Sequence, residues 1–368
     1  MLSYRHGFHV GNDADVLKHV VLVQLLHQLT KKETPLWVVD THAGAGIYSL
    51  ESGYAARNAE FGNGIGRLWA RSGLPEPLAR YVDEVRRVNP DGVLRYYPGS
   101  PLLALQLTRP QDRLRLFELH PNESKLLEAQ FRSAGRRVAV VAGDGFAGLR
   151  AVLPPPSRRA LALIDPSYET RPDYHDVRAA VEDAQKRFAT GTYAVWYPQL
   201  QRRESENLPG QLQRIAAGDW LHASLTVRAP SPDGFGLHGS GMFVFNPPWN
   251  LEAALREALP VLVAALGRDE HASFDLLSAG RSALCASVSH WKCSTSSAAS
   301  AISAIARFFG EWNWSQSRSC AKARRRRRRS ARSRMGTGGM GMAIGWRMGE
   351  RGARAARQGC PALTSAGT

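Results

Sequence analysis

The first 280 residues contain no cysteine; Cys285, Cys293, Cys320 and Cys360 all fall beyond Arg281. No pair of them has metal-knuckle spacing, so neither a disulfide framework nor a structural zinc site organises the body of the chain. Also missing are a secretory signal and any apolar run long enough to span a bilayer, an absence that reads as a soluble, cytoplasmic protein. Net charge is scarce where it would be most informative. The chain carries 48 Lys and Arg against 32 Asp and Glu, a formal +16, which taken whole suggests a polyanionic partner. Seventeen of those basic residues but only two of the acidic ones lie from Arg281 onward, leaving 31 against 30 before it. Nucleic-acid binding therefore has to be argued from local groups and from the site.

What is present is a regular alternation of short apolar runs and amphipathic stretches. Strands are expected at 36–40, 114–117, 138–141, 161–164, 193–196, 224–227, 241–245 and 272–277, with helices between most of them. That order argues an α/β protein with a doubly wound sheet whose late strands form an antiparallel edge. Asn12 or Asp13 caps a first helix, 16–29, whose apolar face is Val16, Leu17, Val20, Val21, Leu25 and Leu26. Residues 51–92 are too long for one crossover and read as a small helical insertion, broken at Pro75 and Pro77. Beyond Arg281 the pattern stops. Ser and Ala clusters, six consecutive arginines from Arg324 to Arg329 and a Gly-Met-rich segment carry no amphipathic period, so 281–368 is expected to be a disordered Arg-rich tail.

The chain is organised around one stretch. Leu161, Ala162, Leu163 and Ile164 read as a fully buried strand, and Asp165, Pro166, Ser167 and Tyr168 follow where it would leave the core. Ligands of open parallel sheets bind outside the carboxyl ends of the strands, so an acid and a ring placed there suit a planar polar substrate. Other strand ends carry groups of the same kind. The 36–40 strand ends in Asp40 and runs into Thr41-His42-Ala43-Gly44-Ala45-Gly46, a turn that lets backbone approach a ligand, with a helix expected near Ile47. Glu118 ends the next strand, where an acid commonly accepts from ribose hydroxyls, and Asp144 ends the third, facing an adenine amino group or simply forming an Asp-Gly turn. Ser100, in Tyr96-Tyr97-Pro98-Gly99-Ser100-Pro101, is placed to cap a helix from Leu102. Near the start, Tyr4, Arg5, His6, His9, Lys18 and His19 are more aromatic and basic than an entry segment needs, and without cysteine or a helical His pair they do not suit zinc.

Asp165-Pro166-Ser167-Tyr168 resembles the Asp-Pro-Pro-Tyr signature of amino-group methyltransferases that use S-adenosylmethionine. With Tyr4-Arg5-His6, the Asp40 to Gly46 turn, Tyr96 to Pro101, Glu118-Leu119-His120-Pro121 and Trp196-Tyr197-Pro198 in one order, residues 1–277 resemble the RlmJ family of bacterial 23S ribosomal RNA adenine-N6 methyltransferases. The resemblance implies a class I, Rossmann-like methyltransferase domain (1–50 and 93–280) with an inserted helical subdomain (51–92). It implies a metal-free monomer with no membrane attachment, S-adenosylmethionine as cofactor, and 23S RNA as substrate with adenine 2030 as the family's target. His19, His42, Ser100, Glu118, Asp144 and Gly145 match its cofactor contacts, Asp165 its catalytic acid and Tyr4 its RNA contact. By position and chemistry His6 and Lys18 join them, near the substrate or the cofactor carboxylate.

Residue chemistry supplies a mechanism. The lone pair of adenine N6 is delocalised into the ring, so a site must accept its hydrogens and hold the nitrogen in line with the methyl donor. Asp165 and the carbonyl of Pro166 are suitable acceptors, and Tyr168 is a ring on which a flipped base stacks. Ser167 is the departure. It returns freedom worth roughly 0.4 to 1 kcal/mol that a second proline would remove, so a weakened or unchanged rate is expected. Asn246-Pro247-Pro248-Trp249 is a rival string, read here as a strand exit into the following helix. Two other functions fit the same residues: methylation of a protein glutamine amide, against which Asp165 and the basic aromatic arm argue, and a non-catalytic RNA-binding protein whose site has decayed at Ser167.

Overall fold

Along the central strand of the structure, alternate side chains serve two different cores. Leu161 and Leu163 are buried in one hydrophobic cluster, Ala162 and Ile164 in the other. A strand covered on both faces has no solvent side, which is why it reads as an unbroken apolar run. The structure is a computed structural model that describes residues 7, 9–51, 55 and 58–280, together with the backbone of 289–294. Tyr4 and His6, and all of 295–368, lie outside the described residues.

The strands described are Trp37–Asp40 (β1), Ile47–Ser49 (β2), Tyr96–Pro98 (β3), Arg113–Glu118 (β4), Val138–Ala142 (β5), Ala160–Ile164 (β6), Thr192–Gln199 (β7), Trp220–Thr226 (β8), Gly239–Phe245 (β9), Ser273–Ala279 (β10) and Ser289–Ser294 (β11). Nine of them form one sheet, ordered β5-β4-β1-β6-β7-β9-β8-β10-β11. The first five are parallel and the last four antiparallel. From β1 the chain moves outward through β4 and β5, then returns past β1 to β6. The crevice at the carboxyl ends of β1 and β6 is thus the topological switch point, the place where such sheets take their ligands. Asp40 ends β1, Glu118 ends β4, and Asp165 follows β6. The alternation of elements read from the sequence gives this doubly wound α/β sheet, antiparallel edge included.

Three local expectations are corrected. No helix starts near Ile47; Ile47–Ser49 is a strand paired with Tyr96–Pro98 in a separate two-stranded sheet. Ile47 and Tyr48 on one segment and Tyr96 and Tyr97 on the other suit a pleated pair, and Tyr97, the partner of Tyr48, lies 49 residues away, beyond local reading. The main sheet also runs past the boundary drawn at Arg281, because β11 pairs with β10. Finally, the apolar residues of the 51–92 segment enclose no separate core. Glu60–Asn63 is a 3₁₀ turn, followed by Gly66–Trp69 (a short α-helix) and Glu76–Arg87. Ile65, Leu68, Leu78, Tyr81, Val82 and Val85 are buried in the same cluster as the first helix, Asp13–Leu29 (α1).

Of the two cap candidates, Asn12 is the cap and Asp13 the first residue of a helix that starts three residues earlier than expected, with Asn12 Oδ1 accepting from the backbone N–H groups of Ala14 and Asp15, both at 3.0 Å. Its burial is more complete than an apolar stripe predicts. Every residue from Asp13 to Leu26 is buried, Asp15, Lys18, His19 and Gln24 included. The polar ones persist there because each has partners: Gln24 donates to the carbonyl of Pro77 (2.9 Å) and accepts from Arg80 (2.7 Å). No helix among the described residues is long and apolar enough to cross a membrane.

Candidate active site

Two cavities meet at the switch point. The first, of about 360 Å³, is lined by Lys18, His19, His42, Gly44, Tyr48, Gly99, Ser100, Glu118, Asp144, Phe146, Asp165, Pro166 and Ser167, among others. The second, of about 390 Å³, shares Lys18, Asp165 and Ser167 with the first and adds Asp15, Trp196, Pro198, Arg228 and Arg268. Asp165 therefore stands in a wall common to both.

Its position is set from α1. Lys18 Nζ lies 2.6 Å from Asp165 Oδ2 and 2.9 Å from Asp15 Oδ1, and the Asp15 carboxylate accepts the backbone N–H of Gly11 at 2.9 Å. Burial alone would strip the Lys18 ammonium of its proton, but the Asp15 and Asp165 carboxylates override it and hold the group well above the ordinary lysine range. A lysine three residues after an acid on a buried helix thus reaches across to the end of β6. Lys18 also lies 5.8 Å from the ring centre of Trp196.

The glycine turn after β1 is tied down by two carboxylates. Gly44 and Gly46 take left-handed conformations, at φ 63° and 90°. The N–H of Gly44 donates to Glu118 Oε2 at 2.7 Å, while Glu118 Oε1 accepts from His120 N–H at 2.7 Å. Each oxygen keeps a lone pair for a further donor such as a ribose hydroxyl. Asp40 is buried and accepts from Ser100 Oγ (2.7 Å) and the N–H of His42 (3.3 Å). Burial pushes its carboxyl up to about 6 against those bonds. His42, joined to Thr41 Oγ1 at 2.8 Å and set edge-on to Phe146, is driven by burial down to about 4, so its imidazole is neutral at pH 7.

The family model described as ribosomal RNA large subunit methyltransferase D, RlmJ, matches residues 33–276. The chain belongs to this family. It is 47% identical over 267 residues to ribosomal RNA large subunit methyltransferase J of Haemophilus influenzae and 46% identical over 266 residues to the protein of that name from Escherichia coli. Each alignment covers 72% of this chain and 94% of the relative. Among solved structures, a Legionella pneumophila protein is 34% identical, with a TM-score of 0.67, over 75% of this chain and 100% of the other.

Of the family-matched residues, His19, His42, Ser100, Glu118, Asp144, Asp165 and Pro166 come together in the first cavity, with Lys18. Three site expectations change, at Tyr168, Ser100 and Gly145. Tyr168 is 2% exposed: its ring packs against Tyr174 and Trp196 and its hydroxyl donates to the carbonyl of Trp196 at 2.6 Å, so it has no free face for a base. Ser100 does not cap a helix through its side chain; Gly99 is the cap of Ser100–Leu107, and the serine hydroxyl is given to Asp40. Gly145 does not line the cavity. A Cβ there would sit 1.9 Å from the carbonyl oxygen of Thr41, so its role is close backbone packing. Asp144 lines the cavity but is also the cap of Gly145–Val152, accepting from Phe146 and Ala147. Tyr48, Phe146 and Asp15 line the two cavities without having been read as site residues, and Trp196 lines the second, although it entered only as part of a family motif. Phe146 lay one residue beyond Asp144-Gly145, a position that could have marked it.

The cavity fits the methyl donor that the fold class implies. Carboxylates at the ends of β4 and β5 suit ribose and adenine donors, and Phe146 offers a ring beside them. The turn at Gly46 lies so close to Gly99 that a Cβ on the latter would be 3.1 Å from the Gly46 carbonyl oxygen, which leaves backbone on the cavity wall.

Proposed function

We propose that the protein transfers the methyl group of S-adenosylmethionine to the N6 amino group of an adenine in 23S ribosomal RNA. The observation that carries this reading is Asp165, clamped by Lys18, in the wall common to the two cavities. One cavity suits the methyl donor; the other suits a base extruded from RNA. When bound, S-adenosylmethionine supplies an electrophilic methyl on a sulfonium.

The chain's own residues do the rest. Asp165 Oδ2 is held by Lys18, and Oδ1 carries no hydrogen bond among the described residues, so it is free to accept a hydrogen of the amine. The carbonyl of Pro166 accepts the other. The nitrogen is thereby oriented, and Asp165 takes the proton as positive charge develops on attack. Trp196, whose ring lies beside Lys18, replaces Tyr168 as the flat wall of the base cavity. Glu118, Asp144, Phe146, His42 and Ser100 hold or border the donor. The chemistry asks of the chain only acceptors for the amine and a bound donor.

Labelled methyl transfer to transcribed 23S RNA, with mapping of the product, tests it. The expected result is N6-methyladenine at a single position, adenine 2030 being the first to examine. Label on protein, or binding of the donor without transfer to RNA, would overturn it in favour of a glutamine-amide or a non-catalytic activity.

A further inference from the structure

Ser167 is half-buried, lines both cavities, and its hydroxyl has no hydrogen-bond partner among the described residues. The residues on either side of it are fixed. Pro166 is buried, and Tyr168 is held in a left-handed conformation at φ 53°, costly for an aromatic residue, by its packed ring and its hydrogen bond to Trp196. The rigidity that a second proline would give this loop is therefore provided by the tyrosine anchor. Serine at this position adds a hydroxyl and loses little stiffness.

The other groups at this point of the wall have fixed hydrogen-bonding characters. Asp165 and the Pro166 carbonyl only accept, and the Lys18 ammonium only donates, two of its N–H groups being directed at Asp15 and Asp165. An amine bound by the two acceptors belongs to a ring whose neighbouring Watson–Crick atom, N1 in adenine, accepts. We infer that Ser167 is a specificity residue, its hydroxyl donating to N1 of the target adenine while Asp165 and Pro166 accept from N6. This rests on the proposed transfer to adenine. It adds a hydroxyl to the recognition set, so that the site reads the ring atom beside the amine as well as the amine itself; guanine is turned away at position 6, where its carbonyl oxygen would face the two acceptors.

The test is a cycle of enzyme and substrate variants. Synthetic RNAs bearing the mapped target as adenine, 1-deazaadenine or 7-deazaadenine are methylated by the native protein and by Ser167→Ala and Ser167→Thr. On adenine, Ser167→Ala is expected to lower kcat/KM about tenfold, the loss of one hydrogen bond in a closed site, and Ser167→Thr to restore most of it. The native protein should lose a similar factor on 1-deazaadenine, on which Ser167→Ala should lose little more. Independent, multiplying effects of the two changes, coupling to 7-deazaadenine in place of 1-deazaadenine, or an unchanged Ser167→Ala would each overturn the inference. Failure of the native protein to methylate the adenine RNA at all would instead overturn the proposed function.

Discussion

After β6 the chain reads Asp165-Pro166-Ser167-Tyr168; after β9 it reads Asn246-Pro247-Pro248-Trp249. Each string puts one residue in a left-handed conformation, Tyr168 at φ 53° and Asn246 at φ 49°. Their fates are opposite. Asp165 enters the wall of two cavities and Tyr168 is buried, whereas the Asn246 side chain donates to the carbonyls of Ala189 (2.8 Å) and Gly191 (2.7 Å) and Trp249 is 93% exposed. The cause is strand direction. β6 is parallel to β1, so its exit joins Asp40 and Glu118 at the carboxyl edge. β9 is antiparallel to β7, with Phe245 beside Tyr193, so its exit emerges at the opposite edge, by the start of β7. Similar strings become a site or a clamp according to which end of the sheet they reach.

The contrast breaks most visibly at the two polar residues. Asp165→Ala should lower methyl transfer by about 10³-fold, within the range for loss of a positioned general base, while donor binding measured by calorimetry persists. Were transfer to survive Asp165→Ala and disappear in Asn246→Ala, the two assignments would have to be exchanged.

A smaller but sharper difference concerns charge. Asp40 titrates near 3.8 when unfolded and near 6 in the native protein. Between those values the native state binds more protons, so this group's stability contribution is present below 3.8, falls as pH rises through 6, and is then constant. Asp40→Asn keeps an acceptor for Ser100 and removes that loss. Relative to the native protein it should gain about 3 kcal/mol at pH 8 and almost nothing at pH 4, read from denaturant midpoints at both pH values. A gain independent of pH would show that burial of the charge is not the cause. Smallest of the three, Asn246→Ala should leave methyl transfer unchanged and cost about 1 to 2 kcal/mol of stability, because two carbonyls lose their shared donor.

How legible the site was depended on the range of the interactions involved. The unbroken apolar run of β6, the Asn12 cap and the acids at strand ends are local or periodic features, and the structure has them where the residues indicate. The pairing of Ile47–Ser49 with Tyr96–Pro98, the engagement of Ser100 with Asp40 across 60 residues, and the reach of Lys18 to Asp165 across 147 are long-range and leave no local trace.

Tyr168 is the clearest case. Its place after Asp-Pro made a base platform reasonable, yet burying an aromatic ring against Tyr174 and Trp196 and satisfying its hydroxyl there is the stronger demand. The sequence by itself determined the α/β order, the acids at the sheet's rim and the family, since periodicity and motif order are properties of the chain alone. Only the tertiary structure decided which Asx-Pro string faces a cavity, that the Tyr168 ring is buried, and which lysine holds the acid. Those outcomes depend on strand direction and on contacts between residues distant in sequence, which no local pattern encodes.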